Sequence, residues 1–283
     1  MNQKLLRQLR KFLKRGQYVL ISLFVIIGLV VGTPQVSQAF SFSFLDLIFQ
    51  GVQVFQLSNM SDSEEVELGK QINEQLLDGE VTLYKNPQVN RYVDRIGQQL
   101  VGSSSRPDLP FTFQIVDDDS INAFATMGGF VYLHTGLIKA ADNEAELASV
   151  IGHEIAHITS RHAIEQMRDR AIAQGLLSSA GLDRSDAVQI GVDLAVSRPN
   201  SREDELEADE KGLEMLTASG YAPGGMVSLM KKLQQQGGSP PTFLSTHPAV
   251  DDRIERLQAR IDNPEQGNGL NPQTYQQRTQ SLR

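Results

Sequence analysis

The stretch His153-Glu154-Ile155-Ala156-His157 constrains this chain more than any other, because it has the form HExxH. An α-helix advances about 100° per residue, so histidines four apart stand about 40° apart, one turn above the other. Their imidazoles reach one metal ion from the same side. Glu154 lies about 100° round from His153, placed to reach a water on that metal but not to join the pair as a ligand. Ile151, Ile155 and Ile158 fall toward the opposite face, giving the helix an apolar back and a reactive front. The bland alternative is a core helix whose histidines bond to backbone. With only five histidines in the chain, a chance HExxH is uncommon.

A catalytic zinc keeps three protein ligands and leaves the fourth position open. Downstream comes Ser201-Arg202-Glu203-Asp204-Glu205-Leu206-Glu207-Ala208-Asp209. Glu205 and Asp209 are spaced i, i+4 and share a helix face, while Glu207 points away. Glu205 is assigned as third ligand, with Glu207 the alternative, and Asp209 as the acceptor that fixes a ligand imidazole through its second N–H. Taken alone, this stretch reads equally as an acidic, solvated helix face.

GHEIAHITSRH followed by SREDELEAD resembles the zinc metallopeptidase family of the CAAX prenyl protease, the HtpX membrane protease and the soluble BepA-type envelope proteases. A third match, from Asn122-Ala123-Phe124-Ala125 through Gly128-Gly129 to Gly136-Leu137, resembles the NAFA…GG…GL segment of the BepA-type branch. The resemblance spans roughly residues 61–261. It implies an α+β, mostly helical, gluzincin-type domain with a small β-sheet edging the active-site cleft, one Zn2+ per chain and endopeptidase activity. It also implies that Gly129, Phe130, Val131 and Tyr132 form the edge strand to which an extended substrate adds by backbone hydrogen bonds. His247, in Thr246-His247-Pro248, matches a His-Pro loop that the family holds near zinc, as an oxyanion donor or a resting-state occupant of the fourth position. The alternative for His247 is a plain surface histidine.

The chain starts with Lys4, Arg7, Arg10, Lys11, Lys14 and Arg15, then an apolar core from Tyr18 to Val31, then Ser37-Gln38-Ala39. A basic flank, a short apolar core and small residues two apart predict a signal peptide over 1–39, with a retained signal anchor as the alternative. Either form sends the remainder across a membrane. Loss of those six cations moves the formal charge from −8 to −14, which argues against nucleic acid as a partner. Residues 40–57 carry Leu45, Ile48, Phe49, Val52 and Phe55 at helical spacing. They predict an apolar arm, extending to 60, packed on its own domain or touching the membrane surface.

Ser61 and Glu64 have capping-box spacing and predict a helix to about Leu77, and Asn86-Pro87 opens another to about Val101. Phe111–Val116 and Phe130–His134 read as strands, joined through a tight turn at Gly128-Gly129. His134 is expected to bond locally at a strand end. Asn143 caps the HExxH helix. Continued along that helix, His162 falls about 180° from His153 and reads as structural. Residues 168–200 are helix-like, broken by Gly175 and Gly181, and are the candidate cover of the cleft. Met226, Leu229, Met230 and Leu233 form a core stripe, 234–241 a linker, and Pro248 opens a helix through Ile254 and Leu257. The domain is thus expected over 61–262, and 263–283, rich in Gln, Asn and Gly, as a disordered polar tail.

Cysteine is absent, so no thiolate site or cysteine nucleophile exists. No G-x-S-x-G elbow or P-loop occurs. The expected function is extracytoplasmic, periplasmic or secreted: a zinc endopeptidase acting on unfolded or misassembled envelope proteins in quality control. The alternative is a chaperone-like module that holds clients on the same fold and cuts little.

Overall fold

Local capping chemistry decides where the helices of the computed structural model begin. The structure describes residue 57 and residues 60–173, 184–197, 200–235 and 240–282. The leader, nearly all of the apolar arm, Gly175 and Gly181 lie outside the described residues. Ser61 closes a full capping box with Glu64 at the start of α1 (Asp62–Gly79). The Asn86 side chain accepts from Gln88 and Val89 N–H at the start of α2 (Pro87–Val101). Asn143 accepts from Glu146 N–H at 3.0 Å to open α4 (Glu144–Thr159), after the short α3 (Thr135–Ala140).

A three-stranded sheet separates α2 from α3. Its strands are β1 (Thr112–Val116), β2 (Ala123–Thr126) and β3 (Phe130–His134), in the order β1-β3-β2. β1 runs parallel to β3, pairing Thr112 with Phe130, and β2 runs antiparallel, pairing Ala123 with Leu133. This corrects the expectation that Gly129, Phe130, Val131 and Tyr132 form the edge. β3 is the central strand, buried at all five positions, and Gly129 lies in the turn before it. A run of large apolar side chains suits a strand covered on both faces, whereas the exposed edge falls to the short β2. Gly128 and Gly129 make the intervening turn at φ 78° and 98°, where a side chain would be strained.

Helix α4 is the axis of the core, buried at every residue from Ala145 to Ile158. Beside it lies α5 (His162–Ala173), against which α6 (Arg184–Ser197) packs, and then come α7 (Arg202–Ala218) and α8 (Gly224–Gln234), both also beside α4. Then follow α9 (Thr242–Thr246), α10 (Val250–Arg260) and α11 (Pro272–Thr279). The stripe Met226, Leu229, Met230 and Leu233 on α8 is buried as its spacing predicts. Pro248 does not open α10: Ala249 takes a left-handed conformation at φ 62° and the helix starts one residue later.

The residues from 263 are not disordered. Asn271 caps α11 through Thr274 N–H, and Tyr275, 1% exposed, donates its hydroxyl to Ile138 O at 2.7 Å. Leu282 is also buried. Two apolar anchors, each worth about 1.5–3 kcal/mol on full burial, hold a segment whose composition is otherwise that of a solvated tail.

Helices α4 and α7 meet where each carries a glycine. A Cβ added to Gly212 would stand 3.2 Å from His153 N and 3.3 Å from its Cα. The missing side chain lets the α7 backbone lie against that of the HExxH turn, which brings Glu205 within reach of both histidines and Asp209 within reach of His153. At an open helical site, replacing glycine gains up to about 1 kcal/mol in helix propensity. Here Gly212→Val is expected to destabilise by about 1–3 kcal/mol in urea unfolding, because overpacking outweighs propensity. Unchanged or increased stability would refute the close crossing.

Candidate metal centre and cleft

The residues that the two helices bring together form a nearly regular figure. His153 Nε2 lies 3.0 Å from His157 Nε2 and 3.4 Å from Glu205 Oε2, and His157 Nε2 lies 3.3 Å from Glu205 Oε1. His247, ending α9, adds Nδ1 at 3.2 Å from His153 Nε2 and 2.9 Å from Glu205 Oε1. Four such atoms within 4.8 Å of one another make a candidate metal group. A tetrahedral ion with ligand bonds of about 2.0–2.1 Å holds its ligand atoms about 3.3 Å apart, and these separations scatter around that value. All four side chains are buried.

Charge fits as well. Glu154, Glu205 and Asp209 are buried carboxylates facing one buried guanidinium, Arg253. Ionised together these carboxylates outnumber the guanidinium, and a divalent cation would take the place of the proton that His153 carries in its absence. Oε1 of Glu154 has no hydrogen-bond partner, and His247 Nε2 stands 3.5 Å from it. Burial raises the Glu154 carboxyl above its ordinary range, as suits a group that takes up a proton. Burial also drives the His157 imidazole down to about 3, leaving it neutral and ready to ligate. His153 behaves oppositely: burial disfavours its charge, yet Glu205 and Asp209 outweigh burial and push it up to about 9. Burial would raise the Glu205 carboxyl, but His247 first, and then His153 and His157, hold it well below the carboxylate range.

Asp209 Oδ1 lies 3.0 Å from His153 Nδ1, on the side of the ring away from the ligand group. Sequence reasoning missed Arg253, which gathers these parts. Its guanidinium grips Asp209 through two bonds of 2.7 Å, reaches Glu205 Oε2 at 2.6 Å and donates to His247 O at 3.0 Å. The signal was present, since Arg253 falls on the stripe of Val250, Ile254 and Leu257, and an arginine on a buried face needs a partner.

His162 needs correction. Helix α4 stops at Thr159, Ser160 caps it, and Arg161 takes a left-handed conformation at φ 61°. His162 therefore begins α5 and does not continue the HExxH wheel. Its Nδ1 lies 2.8 Å from His157 Nδ1, and its Nε2 lies 3.3 Å from Glu207 Oε2. Glu207 is thereby kept out of the ligand group. His134 stays local, with Nδ1 2.8 Å from Ser120 Oγ.

Beside the ligand group opens a cleft of about 780 Å³ of empty space. Phe124 and Ala125 of β2 form one wall, Ile158 and Met167 line its apolar depth, and Leu194 and Ala195 of α6 contribute from above. Asn122 O accepts from His134 N at 3.0 Å. Antiparallel alternation then turns the N–H and C=O groups of Ala123 and Ala125 away from β3, toward the open edge.

Comparison with known proteins places these features in a lineage. A sequence-family model described as Peptidase family M48 matches residues 87–261. The beta-barrel assembly-enhancing protease of Escherichia coli (strain K12) is 33% identical over 222 residues, 72% of this chain and 45% of the relative. Mitochondrial metalloendopeptidase OMA1 of Schizosaccharomyces pombe is 30% identical, covering 59% of this chain and 51% of the relative. Metalloprotease LoiP of Escherichia coli (strain K12) is 26% identical, covering 76% of this chain and 87% of the relative. The chain thus spans less than half the length of the beta-barrel assembly-enhancing protease.

With a pKa of about 9, His153 is protonated at neutral pH in the metal-free protein and must shed that proton to ligate. Binding of Zn2+ near pH 7 is expected to release about one proton per ion, and apparent affinity to fall as pH drops below 9. Calorimetry in buffers of different ionisation enthalpy reads the proton directly. Binding with no proton release would mean that His153 is already neutral in the metal-free protein, against the upward pull of Glu205 and Asp209.

Proposed function

Because the chain belongs to peptidase family M48, we propose that it is a zinc endopeptidase of the cell envelope that hydrolyses unfolded or misassembled proteins. The observation that carries this is the convergence of His153, His157 and Glu205 at tetrahedral spacing, with the unpartnered Glu154 carboxyl beside them.

Zinc held there would polarise the scissile carbonyl and lower the pKa of its water from 15.7 toward about 7. Glu154 takes the proton from the attacking water and delivers it to the leaving amine, a role its raised pKa suits. Asp209 and Arg253 orient His153 and Glu205. An extended substrate pairs with the open edge of β2 through Ala123 and Ala125. Backbone pairing reads no side chains, so it favours unfolded chain over a particular sequence. The envelope assignment rests on the signal-peptide pattern and on relatives named for β-barrel assembly. No helix among the described residues is long and apolar enough to cross a membrane. The apolar spacing over residues 40–56 would suit contact with the membrane surface or packing on the domain itself, and Leu57, just beyond, is buried in the domain core.

A second reading is favoured by His247, which takes the corner of the ligand group that a catalytic zinc leaves open. His247 then acts as a resting-state ligand, and the protein holds clients, cutting only when the loop moves. Glu154→Gln is expected to lower casein degradation by about 10²–10⁴-fold while zinc stays bound. Undiminished degradation would refute the proposed peptidase mechanism. Beside it, His247→Ala is expected to exceed the wild-type rate. A fall of about 10²–10³-fold would instead make His247 an oxyanion donor.

A further inference from the structure

Beyond the ligands and Asp209, one buried chain of contacts leads from the metal group to the surface: His157 to His162 to Glu207. We propose that His162 and Glu207 form a relay that locks His157 in its ligating tautomer. The inference rests on the metal-centre assignment and adds a positioning pair to it.

A neutral imidazole has one N–H and one lone pair. His157 points Nε2 into the ligand group, so its proton must sit on Nδ1, and a buried N–H requires an acceptor. The ring atom facing it is His162 Nδ1 at 2.8 Å. His162 accepts there only if its own proton is on Nε2, which faces Glu207 Oε2 at 3.3 Å. Lys211 Nζ lies 2.6 Å from the other oxygen of Glu207 and, ahead of all other influences, keeps that carboxylate ionised as an acceptor. One proton arrangement satisfies every group. The reverse one, with His162 donating, would put the His157 proton on Nε2, where it blocks the metal.

The backbone points the same way. A left-handed conformation is strained for a non-glycine residue, and Arg161 adopts one. Its side chain is held by Asp62, by Glu65 at 3.1 Å and by Met60 O at 3.1 Å, which fixes the turn that folds His162 back onto His157. Strain at a single residue, clamped from three sides, is used here to aim one imidazole. Both ligand histidines thereby gain a carboxylate from α7: Asp209 directly for His153, Glu207 through His162 for His157.

The test is zinc affinity of the purified full-length chain, measured by competition with a fluorescent chelator. Loss of such a supporting contact weakens metal binding by about 10–100-fold. His162→Ala and His162→Gln should fall in that range. His162→Asn, whose Oδ1 sits where Nδ1 was, should stay within about threefold of wild type. Glu207→Ala, at an exposed helical position, keeps the fold whatever His162 variants do, and should lose several-fold affinity. Wild-type affinity in Glu207→Ala or His162→Ala, or an Asn variant as weak as the Ala variant, overturns the relay. A wild-type chain that binds no zinc overturns the metal centre itself, a separate failure.

Discussion

Three buried carboxylates and three buried imidazoles share the centre of this fold, and neutralising them is the condition on which its geometry rests. Ionised groups removed from water cost several kcal/mol each unless paired. Arg253 answers part of that cost by bridging Asp209, Glu205 and the His247 carbonyl. The spacing of His153, His157, Glu205 and His247 would suit a divalent cation that answers the rest. The apolar body of α4 and the close glycine crossing with α7 hold the donors in place before any ion arrives. Such preorganisation is what a metal site needs to favour one coordination geometry.

The same frame makes the cleft. β2, α4 and α6 surround it, so the Glu154 carboxyl and the candidate ligand group meet the cleft on one side of the HExxH helix. α6 packs on α1 where Gly191 lies against Ile72, leaving no room for a side chain. Its residues Leu194 and Ala195 face the cleft, in the segment expected from sequence to cover it. His247 stands between Arg253 and Glu154, so the loop carrying it is tied to the charge balance of the candidate metal group as well as to the Glu154 carboxyl.

Much of this was legible because local rules act locally. Caps at Ser61, Asn86 and Asn143 announced α1, α2 and α4, and the HExxH and Glu205 spacing pointed to one site. What escaped were features set by tertiary context. β2 is four residues long and half alanine, too short to show alternation, and it takes the edge place that the family resemblance implies for β3. His162 was projected along a helix that had already ended, because the reversal falls on Arg161 and no glycine or proline marks it. Arg253 sits in a helix bearing charges of both signs, and only the fold shows that its face is buried. The segment after 262 has the composition of a solvated tail, and its two anchors are a small fraction of its residues.

X-ray absorption at the zinc edge, with metal content determined on the same purified full-length protein, tests the central claim most directly. The account predicts one zinc per chain, bound by four nitrogen or oxygen atoms at about 2.0–2.2 Å with the scattering signature of imidazole rings. Protein that holds no zinc after incubation with the ion, or zinc in a shell of six oxygens without imidazole, would contradict it.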